Sequence, residues 1–281
     1  MKYVKRREQL RGKVTRAMRK VFRAAKRTGL PILCIEIFAG KAGLTAAVRK
    51  MGVSTADPQD WKTGGVDLLD DAAFQQLLDF WERARIGVDQ LVFHLGTDCT
   101  SFARVRDRST KTRLRSKIWP WGFDKEEHVT AQGNRLARRT AEIVRWMTDR
   151  GATGSIENPV GSYLWQVLGE LLYDLDWQDV FLTYCMYGRP YRKATQLRTF
   201  GDLDLRPLSR VCKRRAGKLS CGRAEHEILE FGGRSTSEAS VYPPQLCRAW
   251  ARLINKHALR HSARDRLGLT SSGVVHRHSD R

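Results

Sequence analysis

From residue 31 onward, short apolar runs alternate with longer segments in which apolar residues recur at helical spacing. Strands separated by helices of this length usually pair in parallel, and the helices cover both faces of the sheet. The sequence therefore predicts an α/β fold with a doubly wound, mostly parallel sheet. The predicted strands are PILCIEIF, VSTAD, QLVFHL and GSIEN, and the predicted helices are LTAAVRKMG, DAAFQQLLDFWERAR, NRLARRTAEIVRWMTDRG and SYLWQVLGELLYDL.

The segments outside this alternation are rich in basic side chains. Residues 1–29 carry twelve basic side chains and one acid, with apolar residues at every fourth position from Leu10 to Phe22. Such a helix would suit an arm that grips phosphates, a helix docked by its apolar stripe, or a mitochondrial presequence. The predicted divisions are a basic N-terminal helix or arm (1–30), the α/β core (31–205), a short irregular insert (206–238), a late helix (239–257) and a mobile basic tail (258–281).

The charge balance restricts the class of partner. Fifty-one Lys and Arg against thirty Asp and Glu give a formal net charge of +21 and a pI near 10.2. This surplus favours a polyanionic partner, usually nucleic acid, over a basic surface without one. No apolar run approaches the about 20 residues that span a bilayer, and we expect no membrane partner. With scattered cysteines, this predicts a soluble intracellular protein, in a nucleus or a bacterial cytoplasm.

The segment EIFAGKAGLT, residues 36–45, ends a predicted strand with an acid and an aromatic residue and opens a helix with two glycines. Glycines let a ligand approach the backbone, and a helix N-terminus offers free amide donors. The glycine spacing is not that of the dinucleotide fingerprint, which disfavours a nicotinamide oxidoreductase. A tight strand-to-helix turn would explain the glycines equally well. However, Asp57 and Asp67 follow at the same predicted edge, and together these features favour a cofactor that contains adenosine.

A cysteine, Cys99, follows the third predicted strand in the polar segment GTDCTSFAR. Structural cysteines prefer apolar surroundings, whereas reactive ones prefer a partly exposed, electropositive setting that stabilises the thiolate. Arg104 and Arg106 lie close in sequence and would favour that thiolate. The segment therefore indicates a candidate nucleophile, and the alternative is an incidental cysteine in a turn.

Glu157 and Asn158 end the fourth predicted strand, and Pro159 then forces the chain out of it. An acid at a strand end is well placed for proton transfer or for a hydrogen bond to the edge of a base. The alternative is that Glu157 caps the helix that follows.

Cys212, Cys221 and His226, with Cys247 as a further candidate, are the residue types that bind zinc. Their spacing, C-x8-C-x4-H, lacks the tight pair of cysteines that most structural zinc sites contain. The sequence therefore favours unrelated residues in a loop-rich insert, and no metal is expected.

Taken in order, six segments resemble the DNA (cytosine-5) methyltransferase family. EIFAGKAGLT is similar to the family's cofactor motif D-L-F-x-G-x-G-G, GTDCTSFA to its nucleophile loop G-P-P-C-x-x-F-S, and IENP to its E-N-V motif. GNRLARRTAEIVRWM is similar to the segment that carries an asparagine and a leucine before the long helix. YGRPYRKATQL resembles Y-G-x-P-Q-x-R-x-R, and VYPPQLCRAWARLI resembles the late V-P-P-x-L-A helix. The resemblance spans roughly residues 33–255.

This resemblance implies a sheet of the S-adenosylmethionine-dependent methyltransferase type and a recognition-type insert at 206–238. It also implies methyl transfer from S-adenosylmethionine to carbon 5 of cytosine in DNA, through a covalent cysteine adduct on a flipped base. The sequence leaves the oligomeric state open, with a monomer favoured. The catalytic residues that it implies are Cys99, Glu157, Asn158 and Arg192. The cofactor-binding residues that it implies are Glu36, Phe38, Ala39, Gly40, Gly43, Leu44, Thr45, Asp57, Asp67, Asn134 and Leu136.

The chain departs from the family pattern at several positions. Thr97 and Asp98 replace both prolines before the nucleophile, and an acid beside Cys99 would raise the pKa of the thiol. The expected arginine of the Q-x-R-x-R segment is lost or moved to Arg192. The other departures are Ala42, Ala103, Tyr191, Lys193, Thr195 and Ser240.

Two alternatives follow from these departures. One is an RNA cytosine-5 methyltransferase, and the other is a nucleic-acid-binding protein that keeps the fold without catalysis. An amino-group methyltransferase is disfavoured because the sequence contains no D-P-P-Y or N-P-P-Y segment.

Overall fold

The computed structural model describes residues 32–60, 66–229 and 238–266. The predicted arm, the tail beyond residue 266 and residues 230–237 of the predicted insert lie outside the described residues. No helix within the described ranges is long and apolar enough to cross a membrane.

Six strands of the described chain form one sheet. They are β1 (Ile32–Ile37), β2 (Ser54–Thr55), β3 (Gln90–Leu95), β4 (Thr153–Pro159), β5 (Gln178–Thr183) and β6 (Ala194–Phe200). Their order in the sheet is β2-β1-β3-β4-β6-β5. The first four strands pair in parallel, whereas β6 lies antiparallel to both of its neighbours, β4 and β5. The predicted strand QLVFHL coincides with β3.

Within the described residues, five helices cover the sheet. They are α1 (Gly43–Lys50), α2 (Asp71–Ile86), α3 (His128–Asp149), α4 (Leu164–Leu171) and α5 (Pro244–Arg266). Successive residues of a strand point to opposite faces, so Leu33 and Ile35 pack against α2, α3 and α4, and Ile32 and Cys34 pack against α1 and α5. The predicted doubly wound, mostly parallel sheet is therefore confirmed. Its one antiparallel strand among the described residues, β6, lies between β4 and β5, which run parallel to each other.

The predicted end of the late helix at residue 257 is wrong, since α5 continues to Arg266. Ala258 is fully buried, and Nε2 of the buried His257 lies 2.6 Å from Oε1 of Gln90 on β3. A small residue and a histidine maintain contact with the sheet here. A scarcity of large apolar residues after 257 therefore does not mean that the chain leaves the core.

The predicted insert contains regular structure as well as loops. A 3₁₀ turn spans Arg206–Leu208, and a short hairpin pairs β7 (Arg214–Arg215) with β8 (Lys218–Leu219). Yet only Leu208 and Cys212 are buried among residues 206–229. This segment therefore has almost no hydrophobic core of its own.

The turn between β1 and α1 places every second residue in the left-handed region. Phe38, Gly40 and Ala42 have φ values of 55°, 51° and 52°. That conformation costs about 1–2 kcal/mol for a residue with a Cβ atom. A Cβ on Gly40 would meet no atom within 4 Å, so a glycine is favoured here by conformation and not by space.

Gly40→Ala should lower the free energy of unfolding by about 1–2 kcal/mol, as measured by urea denaturation, because alanine resists the left-handed conformation. Gly169→Ala is the matched control, since Gly169 lies within α4 and its Cβ position is also open. That substitution should stabilise the protein by about 0.5–1 kcal/mol because alanine favours helix. Equal effects of the two substitutions would contradict the left-handed turn.

Candidate active site

The register of the sheet brings three strand ends to one level. Ile37 of β1 pairs with Leu95 of β3, and Leu95 pairs with Ile156 of β4. The residues that come next on the three strands are Phe38, Gly96 and Glu157. The turn between β1 and α1 (residues 38–42, called the glycine turn below) therefore lies beside the segments that carry Cys99 and Glu157. All three are at the carboxyl edge, where ligands bind on sheets of this kind.

Gly96 allows these segments to approach closely. Its N–H donates to the carbonyl of Ile37 at 3.0 Å. A Cβ at this position would lie 2.9 Å from the carbonyl oxygen of Phe38 and 2.9 Å from the hydroxyl of Tyr242. Any side chain here would therefore push the cysteine loop away from the glycine turn.

A lysine enters the same edge from the antiparallel strand. Lys193 lies directly before β6, and its Nζ is 3.4 Å from Oε1 of Glu157 and 3.4 Å from the hydroxyl of Tyr184. The hydroxyl of Tyr242 donates to Oε2 of Glu157 at 3.4 Å. The side chains of Glu157 and Lys193 are 9% and 14% exposed. Burial acts to lower the pKa of Lys193, but Glu157 and Tyr184 outweigh it and hold that pKa above its ordinary value.

The structure places Lys193, rather than the predicted Arg192, beside Glu157. Arg192 is exposed, and its charge acts on His226 in the insert. Adjacent residues at the start of a strand point in opposite directions, so only one of the two can face the site. The cation at this edge is therefore an ammonium group, which lacks the rigid two-pronged donor geometry of a guanidinium.

Cys99 lies in the loop after β3 and is partly exposed. Burial is the main reason that the pKa of its thiol is raised to about 11. The Lys193 ammonium lowers this pKa, whereas Asp98 and Glu157 raise it. The raising effect of Asp98 agrees with the sequence prediction, but the stabilising cation is Lys193 and not a nearby arginine.

The two arginines that were candidates to stabilise the thiolate are engaged elsewhere in the loop. Arg104 forms an ion pair with Asp107 at 3.5 Å, and Nε of Arg106 donates to the carbonyl of Thr112 at 3.1 Å. Both interactions stay within the segment that follows the cysteine. Closeness in sequence therefore did not identify the charge that acts on Cys99.

Asn158 positions the cysteine loop. Its side chain is fully buried, and its Nδ2 donates to the carbonyl of Thr97 at 2.7 Å. Within the loop, Oδ1 of Asp98 accepts from the backbone N–H of Thr100 at 2.9 Å and from its hydroxyl. Asp98 stands where the family motif has a proline. It stabilises this turn by side-chain hydrogen bonds, whereas a proline would stabilise it by restricting the backbone.

A long loop rich in basic residues joins Cys99 to α3 (residues 100–127, called the basic loop below), and a buried arginine organises it. The guanidinium of Arg115 donates to the carbonyls of Ser101, Pro120 and Thr130, and it lies 3.9 Å from the ring centre of Phe102. Burial lowers the pKa of Arg115 to about 10. One basic residue of this loop therefore acts in the interior and holds the loop against α3.

Asn134, which the resemblance assigns to the cofactor site, uses its side chain to bind the same loop. Its Oδ1 accepts from Arg115 at 2.8 Å, and its Nδ2 donates to the carbonyl of Trp121 at 2.9 Å. Leu136 is buried in the same helix, α3. In this structure Asn134 joins α3 to the basic loop.

A buried acid near the end of β1, Glu36, binds the start of α1. Oε2 of Glu36 accepts from the backbone N–H of Thr45 at 2.7 Å and from its hydroxyl. Burial raises the pKa of Glu36, and the hydrogen bonds from Thr45 act against that increase. Its other oxygen, Oε1, is buried and has no hydrogen-bond partner among the described residues. Ala39, Gly43 and Leu44, which belong to the same predicted site, continue the glycine turn into α1.

The acids expected at this edge lie in different settings. Asp57 is exposed and forms an ion pair with Arg49 of α1 at 3.0 Å, and Asp67 accepts from the backbone N–H of Leu69 at 2.9 Å. Sequence reasoning missed Asp60, whose Oδ2 accepts from the N–H of Gly40 at 3.2 Å. After β2 the chain pairs with β1 again at Gln59. The carboxyl end of this strand therefore lies two residues beyond Asp57, where the sequence placed it.

A buried histidine extends the polar network and was also missed. Nε2 of His94 lies 2.8 Å from the hydroxyl of Tyr242, and its Nδ1 lies 3.1 Å from the hydroxyl of Ser155. Burial lowers the pKa of His94 to about 3, so the ring is neutral at physiological pH. The sequence gives no signal for this contact, because Tyr242 comes from the distant start of α5.

Comparison with known proteins yields structural similarity without sequence similarity. No protein-family model and no curated protein matches the chain. Among solved structures, the Dnmt2 methyltransferase of S. pombe is 10% identical, covers 59% of this chain and 50% of its own length, and has a TM-score of 0.38. A mutant form of the DNMT2 of Spodoptera frugiperda is 14% identical, covers 63% and 52%, and has a TM-score of 0.33. The chain thus spans about half the length of these two proteins.

Lys193→Met should slow the alkylation of Cys99 by iodoacetamide about tenfold at pH 8, because loss of the ammonium raises the pKa of the thiol further. In the unmodified protein the rate should keep rising up to pH 10, as expected for a thiol with a pKa of about 11. Peptide mass spectrometry would report Cys99 separately from the other cysteines. The matched control, Arg192→Met, should leave the rate unchanged, and equal rates in all three proteins would contradict the assigned electrostatics.

Proposed function

We propose that this protein transfers a methyl group from S-adenosylmethionine to carbon 5 of cytosine in DNA, with Cys99 as the nucleophile. The observation that supports this most directly is the convergence of Cys99, Glu157 and Lys193 beside a glycine turn at one strand edge. The thiol can add to a cytosine ring as a nucleophile, and the carboxyl group beside the ammonium can bind the polar edge of the base.

The glycine turn fits the proposed cofactor. Phe38 and Gly40 adopt the left-handed conformation, and no atom lies within 4 Å of the position that a Cβ on Gly40 would take. A ligand can therefore approach the backbone there. The unpartnered Oε1 of Glu36 offers a buried acceptor, and Asp60 adds a carboxylate at the same turn. When bound, S-adenosylmethionine would supply an electrophilic methyl group. Phe38, Glu36 and the backbone of the turn would hold it.

Cys99 activates the cytosine in the proposed mechanism. Carbon 5 of cytosine is a poor nucleophile, and addition of the Cys99 sulfur to carbon 6 makes carbon 5 electron-rich. After methylation, a water molecule acting as base would take the carbon 5 proton, and departure of the sulfur would restore the ring and the thiolate. Because the pKa of Cys99 is about 11, the thiol must give its proton to solvent as the substrate binds, and the adjacent Lys193 ammonium favours that loss.

Glu157 recognises the base in this scheme. Its carboxylate would accept a hydrogen bond from the amino group of the cytosine, and its protonated form would donate to the ring nitrogen and stabilise the shift of electrons after sulfur addition. In the free protein, Lys193 and Tyr242 hold both oxygens of this carboxylate. The carboxylate is therefore oriented before the base arrives, which reduces the cost of ordering it.

The basic loop between Cys99 and α3 provides the surface for nucleic acid. It exposes Trp119 and Phe123, which are 59% and 53% exposed, and the guanidinium of Arg113 lies 5.5 Å from the ring centre of Phe123. Exposed aromatic rings beside basic side chains are typical of surfaces that stack bases and neutralise phosphates. A base must leave its stack to reach Cys99, and such a loop would offset that cost.

A second candidate is a nucleic-acid-binding protein on the same fold that forms no adduct. The raised pKa of Cys99 favours it, because a thiol that stays protonated at neutral pH is a weak nucleophile. An RNA substrate is the other alternative, since exposed aromatic and basic side chains stack the bases and neutralise the phosphates of either nucleic acid.

A covalent trap tests the proposal. The full-length protein, S-adenosylmethionine and a DNA oligonucleotide with 5-fluorocytosine should give a species with the mass of protein, DNA and methyl group, because fluorine cannot leave as a proton does. Its attachment point should map to Cys99. Cys99→Ser should give no adduct, and Arg192→Met, the exposed neighbour, should form it normally. An adduct that forms with fluorinated RNA and not with DNA would show that the substrate is RNA. No adduct, despite binding of both DNA and S-adenosylmethionine, would favour the non-catalytic candidate.

Phe38→Ala should weaken S-adenosylmethionine binding about tenfold in isothermal titration calorimetry, because the aromatic face that contacts the adenine is lost. Phe181→Ala on the exposed side of β5 is the matched control and should leave affinity unchanged. Equal affinities in the two variants and the parent would exclude Phe38 from the cofactor site.

A further inference from the structure

Three cysteines and one histidine converge at the base of the insert, away from Cys99. All four ligand atoms lie within 4.8 Å of one another, and every cysteine concerned is a free thiol. The residues are Cys185, Cys212, Cys221 and His226. This set differs from the one that the sequence suggested, because Cys185 replaces Cys247, whose sulfur lies instead beside Gly43 at the glycine turn.

The fold explains why residues so far apart in sequence meet. The hairpin β7–β8 pairs Arg214 with Leu219, and continuing that register brings Cys212 opposite Cys221. The N–H of Cys221 also donates to the sulfur of Cys212. Cys185 arrives from the 3₁₀ turn Tyr184–Tyr187 that follows β5. The hairpin thus supplies the close cysteine pair that the sequence spacing did not show.

The distances fit a tetrahedral metal. Nε2 of His226 lies 3.7 Å from Sγ of Cys212 and 3.4 Å from Sγ of Cys221. A tetrahedral zinc ion with ordinary Zn–S and Zn–N bonds holds a sulfur and a nitrogen about 3.6 Å apart. Three cysteines and one histidine form one of the usual structural zinc sets, with no position left open for a substrate.

We propose that Cys185, Cys212, Cys221 and His226 bind one structural zinc ion. The insert needs such a link, because Leu208 and Cys212 are the only buried residues among 206–229. Structural zinc stabilises small segments that cannot build a hydrophobic core. Three arginines act electrostatically on His226 and would offset the net negative charge of three thiolates around a divalent ion. They are Arg192, Arg214 and Arg223.

The zinc ion would also fix one wall of the candidate active site. The N–H of Tyr184, directly before Cys185, donates to the carbonyl of Lys193 at 3.0 Å. On the other side, the N–H of Glu227, directly after His226, donates to the carbonyl of Pro190 at 3.1 Å. Both ends of the cluster thus hold the segment that carries Lys193. The proposal does not depend on methyl transfer.

A second group of ligand types, Asp202, His257 and His261, provides a comparison. Asp202 already bonds to Gln90 at 3.1 Å and to His261 at 3.1 Å, and His257 bonds to Gln90 at 2.6 Å. Hydrogen bonds therefore account for this group, which makes it a suitable control.

The test is the metal content of the full-length protein, purified without metal-affinity resin or chelator and measured by inductively coupled plasma mass spectrometry. We expect about one zinc per chain. Cys212→Ser and His226→Ala should reduce it at least fivefold. Cys99→Ser and His261→Ala should retain it, the first because it alters the proposed nucleophile and the second because it alters the comparison group. Zinc that persists in Cys212→Ser and His226→Ala would overturn the proposal.

Cobalt replacement gives a readout that does not depend on the stability of any variant. Adding Co²⁺ to the reduced, metal-free protein should produce visible bands of a tetrahedral ion and a thiolate-to-cobalt band, which zinc should then displace. Protein isolated without zinc that still gives these bands would support the site. Absence of both zinc and the cobalt bands would overturn it, whatever the outcome of the covalent trap.

Discussion

The buried ion pair between Lys193 and Glu157 is the interaction on which the candidate site depends. Removing two charges from water costs several kcal/mol for each ion, so such a pair persists only with further hydrogen bonds. Tyr184 and Tyr242 supply them, the first from the turn after β5 and the second from just before α5. These contacts tie four separate parts of the chain together at the strand edge: β4, the segment before β6, the turn after β5 and the segment before α5.

The antiparallel direction of β6 makes this pair possible. Parallel strands bring only their carboxyl ends to the ligand-binding edge, whereas β6 brings its amino end, with Lys193 immediately before it. The same strand direction sends Arg192 outward, toward His226. One dipeptide thus serves two sites: its lysine faces Glu157 and its arginine faces the proposed metal cluster.

Burial and charge act against each other at Cys99. Burial raises the pKa of the thiol to about 11, and the neighbouring acids add to this effect, while Lys193 and a backbone hydrogen bond oppose them. A site with this balance keeps the cysteine protonated, and hence unreactive, until another ligand changes its surroundings. In the proposed mechanism the incoming base provides that change, because it engages the Glu157 carboxylate that otherwise competes for Lys193.

The sequence by itself determined the layered fold, because the periods of apolar residues in strands and helices are local. It also placed Glu36, Phe38, Cys99 and Glu157 at one edge, since the carboxyl ends of parallel strands meet there. Only the tertiary structure decided which of two adjacent basic residues faces Glu157, that Asp60 rather than Asp57 reaches the glycine turn, and that Cys185 joins the insert cluster. Those outcomes depend on an antiparallel strand, a broken strand edge and a hairpin register. Each of these is set by pairing between distant segments, and no local pattern records it.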